Sequence, residues 1–199
     1  MNTVKILKTY ISEISVNEVS SLLNNKHSLK VAICNTNTVI RSYRDETLGK
    51  IINSFDIKTP DGFPIAKSSS ILYSNNQRRV DGYNVLLTTI REGLEKNTSH
   101  YFFGSEDYIL KKVIQNLEKD FPLINIVGSL SPPVTEFNKL TEKQYIQDIQ
   151  NVNPDIVWVS LGFPKQEMFI ELLQKKYRME SNFVGIGAVF EWVAGTKVK

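Results

Sequence analysis

Apolar residues along this chain follow two rhythms, short unbroken runs and longer stretches with helical spacing. VAICNTNTV, residues 31–39, opens as a strand with Val31, Ala32, Ile33 and Cys34 in a core and then breaks into a polar end. DETLGKIINSFD, residues 45–56, puts Leu48, Ile51, Ile52 and Phe55 on one side of an amphipathic helix that leads into IKTPDG. Helices are expected through PIAKSSSILY and through RRVDGYNVLLTTIREGLEKN, where Val85, Leu86, Thr89, Ile90 and Leu94 recur at helical spacing. Tyr101 to Phe103 reads as a strand, followed by a glycine turn and a helix carrying Ile109, Leu110, Val113, Ile114 and Leu117. LINIVGSLSPP then reads as a strand, YIQDIQNVNP as a helix and DIVWVSLG as a strand. FPKQEMFIELLQKKY follows as a helix with Pro164 in its first turn, and NFVGIGAVFEW as a last strand. This alternation predicts an α/β fold, a Rossmann-like, mostly parallel sheet flanked by helices, with ligands at the carboxyl ends of the strands.

Composition narrows the function classes. With 199 residues, 41% hydrophobic and 23% charged, the chain suits one compact domain. Its formal charge of +3 comes from basic residues scattered among acids, which supports an anionic substrate better than nucleic acid. A single cysteine, Cys34, excludes an internal disulfide and points to the cytoplasm, and with only His27 and His100 no zinc spacing is present. MNTVKILKTYISEIS has no sustained apolar core, and no window approaches the roughly 20 apolar residues of a membrane span. EWVAGTKVK ends directly after a hydrophobic segment, as a piece of a longer protein would.

Four polar clusters fall at predicted strand ends: NTN (35–37), PDG (60–62), GSE (104–106) and GFPKQE (162–167). Each has an ordinary reading. Pro-Asp-Gly is a common turn, NTN can cap or end a strand, Ser105 can cap a helix, and PKQE can be a first turn with a favourable glutamate. Arg78 and Arg79 read as solvated charges at a helix start, and GIGAVF, lacking the third glycine of a dinucleotide fingerprint, as close backbone packing. No G-x-S-x-G, P-loop or H-E-x-x-H pattern occurs, so a carboxylate is the remaining candidate base.

Taken in order, TPDGFPIAK, RRVDGYNVL, YFFGS, FPLINIVGS, NPDIVWVSLGFPKQEMFI and NFVGIGAVFEWVAGTKVK resemble the WecG/TagA/CpsF family of bacterial glycosyltransferases (glycosyltransferase family 26) from about residue 31 onward. The resemblance implies an inverting transfer from a UDP-sugar to a polyprenyl-diphosphate-linked sugar, without a metal or other cofactor, at the inner face of the cytoplasmic membrane. The sugar is N-acetylmannosamine, its uronic acid or a hexose. Carried over residue by residue, Asp61 is the general base, Arg79 and Gly82 match the arginine and glycine of the family's RvtG motif, and Gln166 and Glu167 come from its PkQE motif. In its T-x-N segment Asn37 matches the asparagine, while Asn35 replaces the threonine and Thr36 stands between them. Asp81 and Tyr83-Asn84 also depart from the family pattern. Backbone amides at Gly104 and Gly162, with Arg79 or Lys165, are the available means of holding the leaving diphosphate. The resemblance further implies a single domain over 1–199, cut before a C-terminal tail that docks on the membrane, with a homo-oligomer left open. An inactive nucleotide-sugar-binding module on the same scaffold is the competing reading, and a dinucleotide oxidoreductase a weaker third.

Overall fold

In the computed structural model, which describes residues 1–133, 137 and 143–198, six strands form one parallel sheet. A hairpin of β1 (Thr3–Ile6) and β2 (Thr9–Ser12) and helix α1 (Val16–Leu23) come first. They are followed by β3 (Lys30–Cys34), α2 (Thr36–Arg44), α3 (Glu46–Asn53), β4 (Ile57–Pro60), α4 (Phe63–Tyr73) and α5 (Gly82–Gly93). Next are β5 (Ser99–Gly104), α6 (Asp107–Asp120), β6 (Asn125–Leu130), α7 (Lys143–Val152) and β7 (Ile156–Ser160). The chain continues through α8 (Lys165–Tyr177), β8 (Asn182–Gly185) and α9 (Val189–Val193). The sheet order is β4-β3-β8-β7-β5-β6, with every pairing parallel.

Because successive side chains of a strand point to opposite faces, a sheet covered on both sides needs apolar residues at consecutive positions. That is what β5 and β7 supply. Phe102, Ile156 and Trp158 join α1, α5, α6 and α9 in one core, while Tyr101, Phe103, Val157 and Val159 join the hairpin, α2, α3, α7 and α8 in the other. Phe103 stacks on Phe169 of α8 at 4.7 Å on one side, and Phe102 meets Phe190 of α9 at 5.8 Å on the other.

Four local expectations need correction. NFVGIGAVFEW is a strand only through Gly185: Gly187 turns the chain with φ +57°, and Val189 and Phe190 fold back as α9 onto the core. The polar end of VAICNTNTV is a helix start, because the Asn35 side chain accepts the Thr38 N–H at 3.1 Å and caps α2. Ser105 does not cap α6; it has φ +61°, and Glu106 occupies the cap position. Pro164 sits at the cap position of α8 rather than inside its first turn. The N-terminal segment, for which no element was predicted, pairs as a hairpin with Val4, Ile6 and Ile11 buried, and Ser15 and Glu18 close a reciprocal capping box on α1.

Gly104 ends β5 where the sheet tolerates no side chain. A Cβ there would lie 2.3 Å from the Ser160 carbonyl oxygen, and φ is +110°. Gly104→Ala is therefore expected to cost about 2 to 5 kcal/mol from strain and overpacking together, read as a lower urea midpoint with an unchanged slope.

Candidate active site

The sheet order has one reversal. From β3 the chain steps outward to β4, whereas from β5 it steps outward to β6 in the other direction, and β7 and β8 fill the gap between. The crevice of such a sheet lies at the carboxyl ends beside that reversal. Two adjoining clefts open there. An inner one of about 270 Å³ is bordered by Asn35, Thr38, Asp61, Gly82, Gln166 and Glu167. An outer one of about 340 Å³ is bordered by Ser105, Glu106, Lys165 and Glu191. Gly162, Gly187 and Ala188 border both.

Asp61 leaves the end of β4 with its N–H donating to the Cys34 carbonyl of β3 at 3.0 Å, and Gly62, at φ +86°, makes the turn that starts α4. The carboxylate accepts from Arg79 Nε at 3.0 Å, and its side chain is only 14% exposed. Arg79 reaches it because Val80 returns to β4, its N–H donating to the Pro60 carbonyl at 3.0 Å. Arg79 is thus a partner of Asp61 and not the solvated charge its sequence position suggested. Burial raises the Asp61 pKa, Arg79 opposes that shift, and Asp81 adds to it. Asp81 in turn caps α5, accepting from the Asn84 N–H at 3.1 Å.

On the opposite wall, Gln166 Oε1 accepts from the Gly187 N–H at 3.0 Å, and Gln166 Nε2 donates to Glu167 Oε1 at 2.9 Å. Gly185 makes room for this amide, since a Cβ there would lie 3.0 Å from Gln166 Nε2. Glu167 is fully buried, and its Oε2 has no hydrogen-bond partner among the described residues. Burial is the main cause that lifts its pKa to about 7, against the hydrogen bond from Gln166.

The remaining sequence candidates are placed unevenly. Asn35 borders the inner cleft as the cap of α2, but Thr36 and Asn37 are exposed and border neither cleft; Thr38, which sequence reasoning passed over, faces it instead. Gly82 borders the inner cleft and is packed against α9, where a Cβ would stand 3.0 Å from Val189 Cγ2. Gly104 borders neither cleft, and the amide after it, Ser105 N–H, donates to the Ser160 carbonyl at 2.8 Å. Gly162 differs: its φ is +74° and a Cβ would meet open space, as at Gly187, so backbone is bare where the two clefts join. Lys165 borders the outer cleft together with Glu106 and Glu191. Among the described residues, no three His, Cys, Asp or Glu side chains cluster so that they could hold a metal ion, and no helix is long and apolar enough to cross a membrane.

The sequence profile of the family described as "Glycosyl transferase WecG/TagA/CpsF family" matches residues 4–199. The chain belongs to this family. Similar proteins are named N-acetylglucosaminyldiphosphoundecaprenol N-acetyl-beta-D-mannosaminyltransferase in Bacillus spizizenii (28% identical, covering 73% of this chain and 54% of that protein) and in Bacillus subtilis (24%, covering 87% and 65%). A protein of the same name in Staphylococcus aureus is 21% identical over 99% of this chain and 71% of its own length. The chain thus spans between about half and two thirds of the Bacillus relatives. For a WecG/TagA/CpsF chain, the Asp61–Arg79 pair and the Gln166–Glu167 pair stand on facing walls of one crevice.

Glu167 gives this arrangement a pH signature. Its pKa is raised above the usual 4.5, so the folded chain holds a proton that the unfolded chain releases. That stabilisation is complete below the unfolded value and is lost as pH rises through about 7. Glu167→Gln, which keeps an oxygen to accept from Gln166, should flatten the decline in Tm between pH 5 and 8 that the wild-type chain shows from this group. Parallel curves for the two proteins would contradict the assignment.

Proposed function

We propose that this chain is an inverting glycosyltransferase that moves N-acetylmannosamine from a UDP-sugar to a polyprenyl-diphosphate-linked N-acetylglucosamine at the inner face of the cytoplasmic membrane, with no cofactor. The observation that carries the reading is the placement of Asp61: a largely buried carboxylate, gripped by an arginine, at the rim of a crevice that is also bordered by bare glycine backbone. The names of the relatives supply the sugar and the acceptor, and the β linkage in those names matches inversion at C1 of an α-linked nucleotide sugar.

In this mechanism an acceptor hydroxyl oxygen attacks C1 of the donor sugar as the bond from C1 to the phosphate oxygen breaks, and UDP leaves with that electron pair. The hydroxyl proton passes to Asp61. A pKa raised by burial brings the carboxylate closer to the working pH, which strengthens it as a base, while Arg79 keeps it ionised and aimed. The diphosphate rests where the clefts join, on the backbone of Gly162, with Lys165 at the edge, while Gly187, whose N–H is taken by Gln166, leaves the wall beside it free of a side chain. Glu106 and Glu191 border the outer cleft and would repel the same anion, so the inner side, away from them, suits it better. Gln166 holds the Gly187 amide in place, and Glu167 fixes which end of the Gln166 amide does so.

Asp61→Asn keeps size and turn preference but cannot take a proton. It should fold normally and lose about 10² to 10⁴ in turnover, measured as UDP release with a short-chain lipid-diphosphate acceptor. Full activity in this variant would remove Asp61 from the mechanism, and a wild-type chain that binds UDP without transfer would favour the inactive module. UDP affinity measured by calorimetry is expected to be the same with and without EDTA; loss of binding on chelation would refute a metal-independent site.

A further inference from the structure

Helix α4 is apolar on two faces. Ile65, Ala66 and Ser69 are buried, as an amphipathic helix requires, yet Phe63 is 75% exposed, Ile71 67% and Leu72 64%. A helix at the surface of a water-soluble fold ordinarily presents charged or polar residues there. The exposed apolar surface also continues onto the hairpin. Tyr73, at the end of α4, donates through its hydroxyl to the Lys5 carbonyl of β1 at 2.9 Å and accepts from the Lys5 N–H at 3.1 Å. Lys5 pairs across the hairpin with Tyr10, its ammonium 5.6 Å from the ring centre, and Leu7 at the hairpin turn is 52% exposed.

The charges of this surface are of one sign. Residues 1–12 and 62–78 contain Lys5, Lys8, Lys67 and Arg78, all exposed, and no aspartate or glutamate. Those four positive charges exceed the +3 of the whole chain, so the remainder is net negative by one. Of the acids bordering the surface, Asp61 pairs with Arg79 at 3.0 Å and Glu46 with Lys50 at 2.9 Å, while Glu13 accepts from Asn75 and keeps its charge. Exposed Phe, Ile, Leu and Tyr interleaved with lysines, without acids, is the make-up of an element that lies in a membrane interface. Its apolar tips enter the acyl boundary while its cations meet anionic headgroups.

We propose that α4 together with the β1–β2 hairpin is a membrane-docking face that binds anionic phospholipid bilayers, built into the α/β body itself. Resting on the reading above, it gives the acceptor a route: α4 begins two residues after Asp61, so a face seated on the bilayer brings the base next to the surface from which a lipid-linked sugar rises. The partner chosen is a bilayer and not a second copy of the chain, because two such faces would bring four positive charges against four.

The test is cosedimentation of the 199-residue chain with vesicles of phosphatidylglycerol and phosphatidylcholine, free of any sugar-linked lipid, so that the outcome does not depend on transfer activity. Binding should be strong to the anionic vesicles, absent on pure phosphatidylcholine and weakened by salt. Phe63→Asp with Leu72→Asp should lower the partition coefficient at least about tenfold, and Lys67→Glu roughly fivefold or more. Leu123→Asp, at a residue 78% exposed beyond α6, should leave binding unchanged. Circular dichroism and UDP affinity report that each variant is folded. Failure of the wild-type chain to sediment with anionic vesicles, or equal binding by the α4 variants, overturns the proposal. So does sedimentation velocity showing that the same substitutions dissociate an oligomer while vesicle binding is untouched.

Discussion

Burial of the parallel sheet on both faces is the constraint from which the rest of this structure follows. Strands such as IVWVS and SHYFFG bury nearly every side chain, and the few polar ones along them, Ser99 and His100, bond within the fold to Asp155 and Trp158. Chemistry is confined to the residues where each strand stops. Six parallel strands stop at one edge, and the reversal between β3 and β8 opens that edge into a crevice. Asn35, Asp61, Gly162 and Gly187 are the first residues past four of those strand ends, or within two of them, which is why segments far apart in sequence meet there.

Within the crevice, electrostatics are set by how far each group is withdrawn from water. Asp61 keeps a charged partner and some solvent, so Arg79 opposes the upward shift that burial causes. Glu167 lies deeper, with the Gln166 amide bonded to it, a backbone hydrogen bond and Arg41 acting from a distance, and burial dominates, so its proton is harder to remove. The two carboxylates are thereby separated in setting: one stands on the open side against an arginine, and one lies in the wall and accepts from an amide. Exposed surface follows a different logic. On α4 and the hairpin, apolar and cationic side chains are carried outward, where Phe63, Ile71 and Leu72 contribute little burial to the core.

Much of the architecture was legible because a doubly covered sheet writes itself as unbroken apolar runs separated by helical spacing. The elements that were missed or misdrawn share a cause. The hairpin strands are four residues each and alternate in and out, so they show no run; their partners are a helix and an edge strand remote in sequence. α2 and α9 were hidden because each starts within an apolar run, and only a cap at Asn35 or a positive φ at Gly187 separates helix from strand there. The site was legible as residues but not as neighbours. Arg79 looks solvated until Val80 is seen bonded back to β4, and Gly104 looks like an open turn until the Ser160 carbonyl is seen against it. Thr38 carried no signal beyond its position three residues after a capping asparagine. The PKQE motif did carry one, but the division of labour between its amide and its acid is set by burial alone.

The central claim is that nucleotide and base meet at the edge of the sheet. It is tested most directly by a crystal structure of the chain with UDP bound. The account predicts the diphosphate on the backbone of Gly162, beside the bare turn at Gly187, within reach of Lys165 and with the Asp61 carboxylate facing the space where the donor sugar would sit. UDP seated instead in the groove between α6 and β6, against Lys111 and Ser129, with the edge crevice empty of nucleotide, would contradict it.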